Sequence, residues 1–414
     1  MSEFFELVDR LCPEGVEWKP LYELANYEQP SKYIVSNTNY DDAFSTPVLT
    51  AGKTFILGYT NDTDGVYLAS KKHPVIIFDD FTCAFKWVDF PFKVKSSAIK
   101  IITANEEITL LRYIFHMMGK LAFIPNLSDH QRLWISKYSL FKIPLPPLAV
   151  QREVVGILDL FDRLTLELTE SLSEELELRK KQYAYYREVL LSFDEKSPSV
   201  IKEMTKRLCP NGIEWKTLDE VFTIRNGYTP SKANPDYWEG GTIPWFRMDD
   251  IRTNGRILED SIQHITPAGV KGKLFEKDSI ILATTATIGE HALLMADALA
   301  NQQFTNFAIC KSLKERLLPK FAFYYFFMID EWCKKNTRVS SFPSVDMKKL
   351  KKQPFPLPPL EIQHKIVEIL DKFDTLTTSL TEGIPAEIEA RRKQYTYYRN
   401  KLLTFKELAP SPKE

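Results

Sequence analysis

The chain has 414 residues, 54 Lys+Arg against 55 Asp+Glu, and 44% hydrophobic content. That composition excludes wholesale disorder, and the length predicts two or three domains. No apolar run reaches the roughly eighteen residues of a membrane span, and the five cysteines show no CxxC or Cys/His spacing, which excludes a disulfide frame and a zinc site. The opening MSEFFELVDRLCPEG matches neither a signal nor a transit peptide, so the expectation is a soluble, cytoplasmic protein with no membrane partner. A formal charge of -1 argues, on its face, against nucleic acid.

In chain order, Arg10-Leu11-Cys12-Pro13 through Trp18-Lys19 leads into a body of residues 20–143. Val75–Phe78 and Ala98–Ile102 read as short strands, and Thr109–Met118 as a helix. Pro146-Pro147 then blocks backward extension of a long helix from about 149 to 193, roughly 65 Å at about 1.5 Å per residue. Its apolar stripe includes Leu158, Phe161, Leu164, Leu168, Leu176, Tyr183 and Tyr186. After the DEKSPS linker, Arg207-Leu208-Cys209-Pro210 through Trp215-Lys216 repeats the first lead and opens a second body, 217–355. Ser279–Ala283 reads as a strand and Leu318–Trp332 as a mostly buried helix. Residues 356–405 repeat 144–193 without a gap and with more than half the positions identical. Their stripe is Leu370, Phe373, Leu376, Leu380, Ile388, Tyr395 and Tyr398, with Gly383 and Pro385 predicted to kink or restart the helix.

The fold class expected is therefore α+β. Two globular domains of mixed α/β structure, 1–143 and 201–355, are separated by two long helical spacers, 144–200 and 356–414, in a pseudo-twofold internal repeat. The bodies show no ungapped match beyond their leads. A stripe this long needs a partner, and antiparallel packing of the two tails is the economical arrangement; packing of each tail on its own body, or on another subunit, are the other two.

Catalytic motifs do not accumulate. Gly52-Lys53-Thr54 lacks the earlier glycine of a phosphate-binding loop, and GxGxxG, HExxH and GxSxG are absent. Asp79-Asp80 and Lys86 faintly suggest a nuclease site, but Ala84 and Phe85 stand where a second acid would hold a cation. No Asp/Asn-Pro-Pro-aromatic motif offers a base-binding carboxylate or amide for methylation. The expectation is a non-catalytic chain with no metal and no bound cofactor.

Recognition chemistry does accumulate. Lys86, Lys93, Lys95 and Lys100 crowd one stretch, and Lys348, Lys349, Lys351 and Lys352 another, whereas 153–177 is acidic, so basic faces are masked in the total charge. Candidate DNA-contacting residues in the first body are Gln29, Ser31, Lys32, Tyr33, Lys53, Thr54, Lys86, Lys93, Lys95, Gln131 and Arg132. In the second they are Arg225, Asn226, Tyr228, Arg247, Thr284, Thr285, Gln302, Gln303, Arg338, Ser340, Ser341 and Lys348. Arg suits guanine O6/N7 and Asn or Gln suits adenine N6/N7, while Lys, Ser and Thr anchor phosphates.

The two PLPPL-x-x-Q openings, ILD-x-FD, and RKKQYAYYREVLLSF with RRKQYTYYRNKLLTF resemble the DNA-specificity subunit of type I restriction–modification enzymes. PVLTAGKTFILGYT, IIFDDFTCAFKWVDFPFKVKSSA and NGYTPSKANPDYW are similar to that family's target-recognition domains. The resemblance runs from Cys12 to Phe405. It implies that each body reads half of a bipartite, asymmetric double-stranded DNA site. It also implies that the tails are conserved antiparallel helices that space the halves and dock two methyltransferase subunits. S-adenosylmethionine would then belong to the methyltransferase, and ATP/Mg to separate restriction/translocase subunits. Half-sites read from one face lie about one turn, roughly 34 Å, apart, which helices of this length can span. The competing expectation is a protein-binding scaffold with two domains on a helical spacer.

Overall fold

The uninterrupted stripe after the first PLPP folds as predicted. In the computed structural model, which describes residues 2–52, 54–121, 123, 132–338, 343–379 and 382–409, it is one helix, Leu148–Leu191. The second tail is two helices, Leu360–Thr378 and Ile384–Leu402, with Pro385 in the first turn of the new segment. Gly383 makes the break possible: its φ is +92°, and a Cβ there would lie 2.7 Å from the Thr375 carbonyl oxygen.

The chain divides into two compact units, Met1–Ser171 with Ile388–Glu414, and Leu172–Glu387. Each holds one body, the first part of one tail and the last part of the other. In the first unit Phe161 packs on Tyr398 at 5.8 Å between ring centroids, and Tyr395 lies beside Asp162. In the second, Phe373 packs on Tyr186 at 5.2 Å, and the Tyr183 hydroxyl donates to Asp374 at 3.4 Å. Phe161 matches Phe373, Asp162 matches Asp374, and Tyr183 and Tyr186 match Tyr395 and Tyr398 in the repeat. The second set of contacts is therefore the first with the repeats exchanged, as a pseudo-twofold repeat requires. Burial and the neighbouring aspartate push both tyrosine hydroxyls, Tyr183 and Tyr395, above the usual range.

The stripe residues divide in their burial. Leu158 and Leu370 are fully buried, and Leu176, Leu376 and Ile388 are half-buried. Leu164 and Leu168 remain 49% and 39% exposed, walling a groove of about 240 Å³ against Arg391, Gln394, Tyr395 and Tyr398. Leu380 lies outside the described residues. The tail ends enter cores: Leu190 and Leu191 are buried in the second body, Leu402 and Leu403 in the first. Beyond them, the Lys406 carbonyl accepts from the Val16 amide at 2.9 Å and the Leu408 amide donates to Val16 at 3.0 Å.

The first body comprises β1 (Glu17–Pro20), β2 (Ala25–Glu28), β3 (Thr46–Leu49), β4 (Ile56–Thr60), β5 (Val75–Asp79), β6 (Phe85–Val88), β7 (Lys93–Val94), β8 (Ile99–Ala104) and β9 (Lys142–Leu145). The second continues with β10 (Glu214–Thr217), β11 (Phe222–Asn226), β12 (Ile243–Phe246), β13 (Ile257–Leu258), β14 (His264–Ile265), β15 (Ile280–Ala283), β16 (His291–Leu294), β17 (Leu299–Ala300), β18 (Phe304–Ile309), β19 (Thr337–Arg338), β20 (Ser344–Val345) and β21 (Pro354–Leu357). The main sheet is β2-β8-β5-β6 in the first body and β11-β18-β15-β16-β13 in the second, antiparallel along the four shared strands. A smaller sheet pairs β3 antiparallel with β4 and parallel with β7; β12 pairs with β14 and β17 in the same senses.

The two bodies thus share a topology that their sequences hide. Even the register is common: Ala25 pairs with Ala104 as Phe222 does with Ile309, and Ile76 with Ile102 as Ile280 does with Phe307. The ladder closing each body repeats as well, Glu17 opposite Leu145 and Glu214 opposite Leu357. From Glu17 to Glu214 is a step of 197 residues and from Leu145 to Leu357 a step of 212, so the longer second body keeps its extra 15 residues between the ladder strands.

A buried glutamine fastens each body to its tail. Gln151 donates to the carbonyls of Pro146 (2.8 Å) and Ile108 (3.3 Å), and its Oε1 accepts from the Leu110 amide (2.9 Å) and the Thr109 hydroxyl (3.1 Å). Gln363 donates to Pro358 (2.7 Å) and Arg316 (2.8 Å) and accepts from the Leu318 amide (2.8 Å). Each thereby ties its PLPP to the start of a body helix, Leu111–Leu121 or Pro319–Lys335. Gln151→Ala or Gln363→Ala leaves several buried groups unpaired and is expected to cost about 2–4 kcal/mol, read from urea unfolding; a change below about 0.5 kcal/mol would refute the fastening role.

Candidate nucleic-acid interface

In each main sheet, the end of one outer strand, the start of the central strand and the end of its neighbour lie at one edge. In the second body these are the ends of β11 and β15 and the start of β18. Asn226, Thr284, Thr285, Gln302 and Gln303 meet there. The Thr305 hydroxyl donates to the Asn226 side chain (3.1 Å), Thr229 donates to Gln302 (2.5 Å), and the Thr284 amide donates to the Gln303 carbonyl (3.0 Å). Thr285 bridges to Ser344, and the Asn301 amide donates to Phe246, next to Arg247. Gly227 allows the crossing: a Cβ there would stand 2.3 Å from the Asn301 carbonyl oxygen, so only glycine brings Thr229 against Gln302. Lys348 is exposed in the short helix Met347–Lys351, whose amides at Lys348 and Lys349 are capped by Asp346.

The first body's edge is the end of β2, the start of β8 and the end of β5. Gln29, Ser31 and Lys32 follow β2 and are exposed. Arg132 is exposed beside the start of β8, its Nη1 donating to the Ser97 carbonyl at 3.4 Å. Lys95 is exposed on the smaller sheet, with its amide bonded to Leu49; Thr54 sits in the β3–β4 turn; and Lys86 lies on β6, away from the edge.

Several candidates are corrected by their surroundings. Lys93 is 2% exposed, pairs with Asp62 at 3.0 Å and donates to the Asp64 carbonyl, so it is a core cation and not a phosphate anchor. Hydrogen bonds from the Ser36 backbone and then Lys93 hold the Asp62 carboxyl down at about 2. Thr284 is buried against the Thr305 hydroxyl at 2.9 Å. Arg225 donates to the carbonyls of Lys273 (3.1 Å) and Leu274 (2.6 Å), which ties it to its own body. Tyr228 binds the Gly269 carbonyl and the Lys271 amide, and Tyr33 donates to Glu28 at 3.1 Å while packing on Tyr67. Lys53, Gln131, Ser340, Ser341 and the Arg338 side chain lie outside the described residues.

Among the described residues one cluster has the composition of a metal site: His116, Asp159 and Asp162. The Arg112 guanidinium already lies 2.7 Å from Asp159, and His116 shares a hydrogen bond with it at 2.8 Å. Burial works against ionisation of Asp159, but the bonds from His116 and Arg112 outweigh it and lower its pKa. In the second unit Lys320 and Tyr324 hold Asp371 in the same way, without a histidine. The cluster is a joint between body and tail. Among the described residues no helix is long and apolar enough to cross a membrane.

Two bodies of one topology, each with a polar strand-end edge and joined through exchanged helix contacts, define a two-domain recognition protein. Residues 13–178 and 210–390 both match the type I restriction modification DNA specificity domain, and the chain belongs to that family. It is a specificity subunit of type I restriction–modification systems with two DNA-recognition domains. The chain is 45% identical over 426 residues to the EcoR124I/EcoR124II specificity subunit of Escherichia coli, covering 98% of each. It is 54% identical to the E. coli EcoprrI specificity subunit over 203 residues, 47% of this chain and 51% of that one. Its fold is similar to a solved chain from work on complex assembly and conformational transition of the type I R-M system, with TM-score 0.64 and 18% identity, covering 95% of this chain and 98% of that one.

Proposed function

We propose that each body reads one half of a bipartite, asymmetric DNA site through its strand-end edge. The tails set the spacing of the halves and dock two methyltransferase subunits, and restriction/translocase subunits join that assembly. In this reading S-adenosylmethionine and ATP/Mg are held by those partners and none by this chain, which acts as the non-catalytic specificity subunit. The observation that carries the reading is that one edge of one topology presents different polar side chains in the two bodies: Gln29, Ser31, Lys32 and Arg132 against Asn226, Thr229, Gln302 and Gln303. A shared scaffold with different edge chemistry is what two different half-sites need.

The test is methylation of duplexes by the chain assembled with its methyltransferase. Gln302→Ala is expected to lower discrimination at one base pair of the second half-site by about tenfold, the scale of one lost bidentate contact. Equal loss on every duplex, or an altered first half-site, would count against the reading.

A further inference from the structure

One cross-strand contact at the reading edge differs in kind between the bodies. In the first, Asp80 follows β5 and Lys100 lies in β8, with Nζ 2.9 Å from Oδ2 and both side chains 0% exposed. Neither Oδ2 nor Nζ has an aligned hydrogen bond, so charge alone holds the contact. By register, Asp80 matches Thr284 and Lys100 matches Thr305, whose hydroxyls lie 2.9 Å apart. The backbone role is the same in both. The Asp80 carbonyl accepts from the Leu133 amide at 2.8 Å and the Thr284 carbonyl from the Val345 amide at 2.9 Å.

The fold therefore accepts an uncharged pair at this place. Burying two ions costs desolvation that a neutral pair avoids, so the charges need another reason. Asp80 supplies one. Its Oδ1 accepts from the Trp134 amide at 2.8 Å, and its Oδ2 lies 3.9 Å from Nη1 of Arg132, which is 47% exposed at the edge. The neutral counterpart, Thr284, offers no such charge. We infer that the Asp80–Lys100 pair is a positioning pair: it orients Arg132 to contact a base of the first half-site, guanine being the base whose O6 and N7 suit a guanidinium. Lys100 fixes the Asp80 carboxylate in place, and Asp80 holds both the backbone entering residues 133–134 and the guanidinium that precedes them. This rests on the reading of the edges proposed above.

A cycle of variants in the full chain, assembled with its methyltransferase, tests it: D80T/K100T, Arg132→Ala, and the combination. The double substitution installs the second body's own pair. Methylation is compared on duplexes bearing single-base changes in either half-site. D80T/K100T is expected to lower discrimination at one base pair of the first half-site by about tenfold, with the second unchanged. In the Arg132→Ala background it should add nothing further. Losses that multiply, or undiminished discrimination in the folded double variant, overturn the proposal. If D80T/K100T melts early, D80N/K100M keeps the Oδ1 acceptor and the volumes and carries the same comparison. If exchanging the whole first body alters neither half-site, the reading of the edges itself falls; if that exchange works and the cycle is additive, only the positioning role does.

Discussion

Exchange of residues 21–141 for another body of the family is expected to replace the sequence of one half-site completely and leave the other as it was. The residues on either side of this segment form the ladder of Glu17–Pro20 with Lys142–Leu145. The same ladder in the same register closes the second body, although that body is longer and shares almost none of its internal sequence. A seam that tolerates two fillings of different sequence in one chain should tolerate a third. Methylome sequencing reads the outcome; alteration of both half-sites would refute independent reading by the two bodies.

Charged substitutions at the tail ends should act across the repeats. Leu402 belongs to the second tail but is fully buried in the first body's core, and Leu190 belongs to the first tail but is fully buried in the second's. Placing a carboxylate at either position sacrifices a buried leucine and desolvates a charge, at about 4 kcal/mol or more. Leu402→Asp should loosen the Val16–Leu408 contacts and speed amide exchange around Phe4 and Leu21. Leu190→Asp should do so around Phe222 and Phe355. Hydrogen exchange by mass spectrometry distinguishes the patterns, and faster exchange confined to the body of the same repeat would contradict the exchanged packing.

The helices were the most legible part of the sequence because their signal is local. A stripe at helical spacing, PLPP before it, and Gly383 with Pro385 inside the second copy place the helices to within a few residues. The strands at 75–78, 98–102 and 279–283 were also visible as β-branched runs. The common topology of the bodies was not, because register is kept by backbone pairing while the side chains diverge: Phe222 stands where Ala25 does, and Asn306 where Ile101 does. The edge was partly legible. Gln302 lies 73 residues from Thr229 in sequence, and their meeting depends on the close approach at Gly227. Lys93 was misread because its partner Asp62 lies 31 residues earlier, on a segment with no regular strand or helix. The fastening glutamines left a trace: the same amide recurs three residues after PLPPL in both tails, but only burial reveals why.

The paired difference between Asp80–Lys100 and Thr284–Thr305 also constrains how such a chain diversifies. One partner cannot drift alone, since a lone buried lysine or aspartate is worse than either matched pair. Stepwise point mutation toward a new edge therefore crosses unstable intermediates. Recombination at the closing ladder moves both partners at once, as a cassette, and never populates the mismatched state. New specificities in this lineage should accordingly arise in jumps, with junctions clustered at the ladder strands.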